Sequence, residues 1–113
     1  MKFLWCDDNE MMSYEKTHAN WIKPINYHEV ISHCTEEIED CVVSIGRRPC
    51  HLATLEAMAN AGVDAIVHIH HLAETDFRKE HPSPATVEES TLVDICKENG
   101  WTLIYDDELE QYL

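Results

Sequence analysis

Four short clusters in this sequence carry side chains able to do chemistry. Asp7 and Asp8 stand side by side after the apolar run Phe3-Leu4-Trp5-Cys6. Two carboxylates leaving the end of a strand offer the oxygen ligands that a hard cation such as Mg²⁺ prefers. Adjacent acids also serve simply as a turn and a helix cap, so the metal is optional. In His68-Ile69-His70-His71, an extended chain puts His68 and His70 on one face and turns His71 to the other face or into the loop. One or two of these imidazoles could meet Asp7 or Asp8 in a mixed His/carboxylate transition-metal site. No H-x-x-x-H and no Cys/His pair of ligand spacing accompanies them, which favours one packed neutral His with exposed neighbours.

Arg47-Arg48 is a paired basic spot in an acidic chain, and a guanidinium fork grips phosphate or carboxylate through two parallel hydrogen bonds. An internal role, as partner to Asp7, Asp8 or Asp106, fits equally well. Cys50-His51 invites a thiol nucleophile with its base, but neighbours at a helix start point in different directions. The expectation there is a core Cys and a surface His. Asp106 and Asp107 follow the last apolar run and complete the set.

The elements that must position these groups follow from the apolar pattern. Phe3–Cys6, Cys41–Ile45, Ala65–Ile69 and Trp101–Tyr105 are short runs rich in β-branched and aromatic residues, mostly apolar throughout, as strands covered on both faces are. Trp21–Ile25 is a weaker strand, and Pro24 assigns it to an edge. Between the runs the period becomes helical. Tyr27, Val30, Ile31 and Cys34 form one stripe, opened by a capping arrangement of Asn26 with Glu29. Leu52, Leu55, Met58, Ala59 and Ala61 form the next, stopped by Gly62. Leu92, Ile95 and Cys96 form a third, with Thr86 and Glu89 as a capping box and Gly100 as the stop.

Strands alternating with helices over short loops predict right-handed β-α-β units and a five-stranded, parallel, doubly wound α/β sheet in three layers, receiver- or flavodoxin-like. In such sheets ligands sit beyond the carboxyl ends of the strands, where the strand order reverses. Asp7 and Asp8, Arg47 and Arg48, His70 and His71, and Asp106 all fall at such ends. The expectation that they converge rests on the first strand lying inside the sheet.

Composition narrows the function classes. The 113 residues suit one domain spanning 1–113, with apolar residues at 44% and charged ones at 27%. No run approaches the roughly 18 apolar residues of a membrane span, and the opening residues lack the pattern of a secretory leader. Eight Lys and Arg against 22 Asp and Glu give a charge of −14, which repels nucleic-acid phosphates and suits a basic protein partner or a divalent cation. Acidic stretches such as Glu36-Glu37-Glu39-Asp40 and Glu108-Glu110 offer faces for such a partner, and a plain solvated surface explains them too. Five cysteines without a C-x-x-C pair predict reduced thiols and a cytoplasmic setting.

Over its whole length the chain resembles a response-regulator receiver domain. Lys2-Phe3-Leu4-Trp5-Cys6-Asp7-Asp8-Asn9-Glu10 is similar to the receiver's first strand and acid pair, which the resemblance makes a Mg²⁺ site. Val42-Val43-Ser44-Ile45-Gly46-Arg47-Arg48-Pro49 resembles the third strand with its trailing proline, and Trp101–Tyr105 followed by Asp107-Glu108-Leu109-Glu110 resembles the fifth strand and closing helix. The departures concern function. Ser44, Ile45 or Gly46 stands where the family carries its phosphate-accepting Asp, His70 or His71 stands where it carries a hydroxyl, and its fifth-strand Lys is replaced near Tyr105. The resemblance therefore implies a pseudo-receiver that acts by protein interaction. Over residues ~20–113, Asn20-Trp21-Ile22-Lys23, Arg47-Arg48-Pro49, His81-Pro82-Ser83 and Tyr105-Asp106-Asp107 are also similar to the C-terminal part of viral deoxynucleoside monophosphate kinases. No G-x-x-x-x-G-K-[ST] is present, so that resemblance implies a remnant without kinase activity of its own.

Three readings result. The leading one is a non-catalytic, receiver-like, protein-binding module with optional Mg²⁺ at Asp7 and Asp8. The second is a nucleotide- or metal-binding α/β enzyme using Asp7, Asp8, Arg47 and His70. The third is an acidic inhibitor or immunity protein directed at a basic target.

Overall fold

The computed structural model describes residues 1–6, 21–36, 40–69 and 87–112. Asp7, Asp8, Glu37, Glu39, His70, His71, the His81–Pro84 loop and Thr86 lie outside them. Five strands, β1 (Lys2–Trp5), β2 (Trp21–Ile22), β3 (Cys41–Ile45), β4 (Ile66–Ile69) and β5 (Thr102–Ile104), form one sheet in the order β2-β1-β3-β4-β5. Every pairing is parallel. The helices are α1 (Tyr27–Thr35), α2 (Pro49–Ala61), α3 (Glu89–Glu98) and the single turn α4 (Asp106–Leu109). This is the doubly wound, flavodoxin-like α/β fold that the alternation of strand and helix patterns requires, and β1 lies inside it, between β2 and β3.

The two faces of the sheet divide the core by the period of two along each strand. Leu4, Val43, Ile45, Val67 and Ile69 pack against Val30 of α1, Leu55 and Met58 of α2, and Leu92 and Cys96 of α3. On the other face Val42 and Ile104 meet Leu109 of α4, with Phe3, Trp21, Ile66 and Tyr112 packed around them. All five residues of β3 are buried, which explains why its sequence runs apolar without alternation. Each fully buried Leu or Ile contributes about 1.5–3 kcal/mol, so these two clusters are the main source of stability. The edge strand β2 is short, ending before Pro24, and Trp21 anchors it through edge-to-face contacts with Phe3 and Trp5 at 5.3 and 5.5 Å between ring centroids.

Helix ends follow local chemistry. Asn26 caps α1 by accepting the Glu29 N–H at 3.2 Å, while the Glu29 carboxylate accepts the N–H of Ile25, one residue earlier than a standard capping box. Pro49 opens α2, where its missing N–H costs nothing, and Gly62 closes it at φ 69°. The Val63 N–H then returns to the Met58 carbonyl at 3.3 Å.

Two expectations are corrected. Helix α3 starts at Glu89, so Glu89 is its first residue and the box with Thr86 does not open it. The cause lies across the fold. Arg47 holds Val87 from both sides, its carbonyl accepting the Val87 N–H at 2.9 Å and its Nε donating to the Val87 carbonyl at 3.2 Å, which keeps the chain extended up to Glu88. Trp101 precedes β5 instead of belonging to it. Its buried indole N–H donates to the Val63 carbonyl at 2.9 Å, tying the end of α3 to the turn after α2. Among the described residues no helix is long and apolar enough to cross a membrane.

Candidate functional site at the carboxyl edge of the sheet

Ser44 and His68 are register partners on β3 and β4, so their side chains leave the same face of the sheet. The Ser44 Oγ and the His68 Nδ1 are 2.9 Å apart. Beyond β5, Asp106 opens α4 and brings its Oδ1 to 2.8 Å from the His68 Nε2. An ionised carboxylate only accepts, so His68 Nε2 donates to Asp106, while Nδ1 faces the Ser44 hydroxyl, a group able to act as donor or acceptor. The three side chains thus form a hydroxyl–imidazole–carboxylate chain across the ends of three consecutive strands.

Burial decides what that chain can do. Ser44 and His68 are both 0% exposed. The Asp106 side chain, at 19%, links the buried pair to the surface. The order of groups is that of a nucleophilic triad, but a sealed hydroxyl meets no substrate. What it does supply is polar satisfaction, because an unpartnered buried polar group costs about 1–3 kcal/mol. A signal for it exists in the sequence. Ser44 is the one hydroxyl in the run Cys41–Ile45, and a polar residue where all neighbours are buried requires a partner.

Of the residues singled out from the sequence, Asp106 belongs to this chain and His68 is the packed histidine expected within His68–His71, whereas the role of Ser44 as its partner is not among the sequence expectations. Arg47 sits past the end of β3 and grips the backbone of Val87, an internal role. Arg48 is the cap residue of α2, extended at φ −99° and ψ 152°, with no side-chain capping bond. Asp7, Asp8, His70 and His71, with the Mg²⁺ expectation, lie outside the described residues. The Cys6 N–H, immediately before Asp7, donates to the Ser44 carbonyl at 2.9 Å, so β1 delivers the chain to the tip of β3.

Cys50 and His51 exchange their expected places. His51 is 3% exposed and Cys50 is exposed. The Gly46 N–H lies past the last register pair, Ile45 with Ile69, and donates to His51 Nδ1. The imidazole folds inward from the first turn of α2 to satisfy that donor, and its neighbour Cys50 is thereby turned outward. Among the described residues no group of three or more His, Cys, Asp and Glu could hold a metal.

A cleft of about 530 Å³ opens beside this region, between the tips of β1 and β2 and the first turns of α1 and α2. Lys23, Pro24, Ile25, Tyr27, Cys50 and His51 line it. Ile25 is 87% exposed and Tyr27 43%, and with Met1 they are the large apolar side chains left exposed among the described residues. Comparison of the chain with models of known protein families, with curated proteins and with solved structures yields no match.

Proposed function

We propose that the chain is a receiver-like module that takes no phosphoryl group and works by binding another protein, with Mg²⁺ at Asp7 and Asp8 optional. The observation that carries this reading is the sealed tip of β3. Ser44, Ile45 and Gly46, the residues standing where a receiver would carry its acceptor, are all buried, and the Ser44 hydroxyl is engaged by His68. An acyl phosphate needs a carboxylate in reach of solvent, and this position offers neither.

A binding role finds support in the exposed pair Ile25 and Tyr27, an aliphatic and an aromatic anchor side by side. The charge of −14 suits a basic partner and disfavours nucleic acid, and five cysteines without a C-x-x-C pair suit a cytoplasmic setting. The kinase-related alternative finds less support, because Arg47, its phosphate clamp, is engaged with Val87.

The test has two arms. Incubation with acetyl phosphate and Mg²⁺ followed by intact mass measurement is expected to leave the chain unmodified. Affinity capture from a cell extract is expected to retain proteins that the Ile25→Asp, Tyr27→Ala double variant loses. A stable phosphoryl adduct, or capture indifferent to the double variant, overturns the reading. Capture abolished by salt alone, with the double variant unaffected, assigns the chain to the acidic-inhibitor class instead.

A further inference from the structure

We infer that Cys34 and Cys41 are a reversible redox pair, two thiols that a low-molecular-weight disulfide converts into one intrachain bond clasping the end of α1 to the start of β3. Position is the first argument. Cys34 stands in the last turn of α1 and Cys41 opens β3, at the amino edge of the sheet and away from the site built on Ser44 and His68. The Cys34 thiol lies within hydrogen-bonding reach of the Cys41 thiol, and the Cys41 Sγ donates at 3.3 Å to the carbonyl of His33, the residue before Cys34. The two sulfurs are neighbours in the folded chain.

A third element fixes the frame around them. Lys2 is the register partner of Cys41 on β1, and its N–H donates to the Asp40 carbonyl at 2.9 Å. Its ammonium is bonded to the Glu36 carboxylate and lies 3.5 Å from His33 Nδ1, so backbone and side chain of one residue join the end of α1 to the start of β3. Cys41 is 2% exposed, and the half-buried Cys34 packs against the same apolar cluster. Reacting groups held together in advance act at a raised effective concentration.

The chemistry balances with one oxidant. Cys34, the more accessible of the two, attacks one sulfur of oxidised glutathione as its thiolate, so that a mixed disulfide forms and one glutathione leaves. Cys41 then attacks the Cys34 sulfur, the bond between the two cysteines forms, and the second glutathione leaves. The pair gives up two electrons and two protons, and the oxidant becomes two thiols. Burial, which keeps the proton on Cys34 up to about 12, makes the first step slow until the last turn of α1 opens. The same burial denies the dithiol the thiolate stabilisation that makes some disulfides strong oxidants.

The inference is independent of the protein-binding reading, and its failure would leave the capture result standing. The full chain carrying Cys6→Ser and Cys50→Ser, which removes two thiols of the opposite edge, is equilibrated with mixtures of reduced and oxidised glutathione, once folded and once in urea. Intact mass and peptide maps are the readouts. The folded chain is expected to lose the mass of two hydrogen atoms, to show Cys34 linked to Cys41, and to regain the mass with excess dithiothreitol. Closing the ring costs the unfolded chain entropy that the folded chain has lost already, so the equilibrium constant for oxidation is expected to be roughly tenfold or more higher in the folded chain than in urea. Cys34→Ala, a half-buried position at a helix end, leaves Cys41 in the core and is expected to abolish the mass loss. Absence of oxidation, a stable glutathione adduct in place of the ring, a bond to Cys96, or equal equilibrium constants in the two conditions each overturns the inference.

Discussion

Ser44 and His68 face each other across the β3–β4 ladder with Oγ and Nδ1 2.9 Å apart, inside a core that neither side chain leaves. Asp106 extends the contact toward solvent from the start of α4. The three residues therefore join the last turn of the described chain to its central strands by polar contacts, alongside the apolar contact that Leu109 makes with Val42 and Ile104.

His68→Ala removes a buried ring and strands two partners at once. We expect a loss of about 3 kcal/mol, from a lost packed side chain together with an unpaired buried hydroxyl and a weakened carboxylate site. Ser44→Ala, which removes one hydrogen bond and little volume, is expected to cost about 1 kcal/mol. Urea unfolding of both single variants and the double variant forms a cycle, and a coupling of about 0.5–3 kcal/mol is expected. Strict additivity would show that the two side chains do not interact in solution.

Gly62 closes α2 at φ 69°, and a Cβ placed there would meet nothing within 4 Å. Substitution thus isolates backbone strain from crowding. Gly62→Ala is expected to lower stability by about 1 kcal/mol, and Gly62→Asn by less, because Asn tolerates the left-handed region better. Equal losses for the two variants in thermal unfolding would point to some cause other than the dihedral angle.

Burial pushes the Cys34 thiol up to about 12, with the neighbouring Cys41 adding to the rise and Lys2 opposing it. Burial alone raises Cys96 to about 11, and Tyr105 is raised as well, by burial first and then by Glu89 and Glu108. A group whose pKa is higher in the folded chain loses its proton first in the unfolded one. These thiols therefore contribute stability that is fully present below pH 9 and is lost as pH climbs through about 11–12. The melting temperature is expected to fall over that window, and less steeply in Cys34→Ala and Cys96→Ala than in the parent. The slope, not the absolute stability, is the readout, since each variant also loses packing.

Those buried cysteines illustrate how far the sequence carries. The apolar runs located all five strands within two or three residues, and Gly62 and the Asn26–Glu29 pair marked helix ends where chain-local rules suffice. What escaped was set by register. In a continuously apolar strand such as Cys41–Ile45 no alternation says which face a residue takes, so the pairing of Ser44 with His68 was illegible until β3 and β4 were aligned. The inversion of Cys50 and His51 has a similar origin. It depends on one backbone donor, the Gly46 N–H, that only the end of the β3–β4 ladder identifies. Arg47 likewise acts on Val87, forty residues away along the chain.

Thiol reactivity gives the most direct check on that inversion. Cys50 is exposed on the first turn of α2, Cys41 and Cys96 are buried, and Cys34 keeps its proton far above neutral pH. With an aromatic disulfide reagent at pH 8, the folded chain is expected to show a fast phase from Cys50 and a slower one from the half-buried Cys6. The remaining thiols should react only as the chain opens. Cys50→Ser should delete the fast phase and leave the slow ones unchanged. His51→Ala should leave the Gly46 N–H without its imidazole acceptor, and is expected to destabilise the fold by about 1–3 kcal/mol. If Cys50 were instead the core residue and His51 the exposed one, the fast phase would be absent and the His51 substitution close to neutral. The two measurements together decide which of the adjacent side chains supports the end of β3.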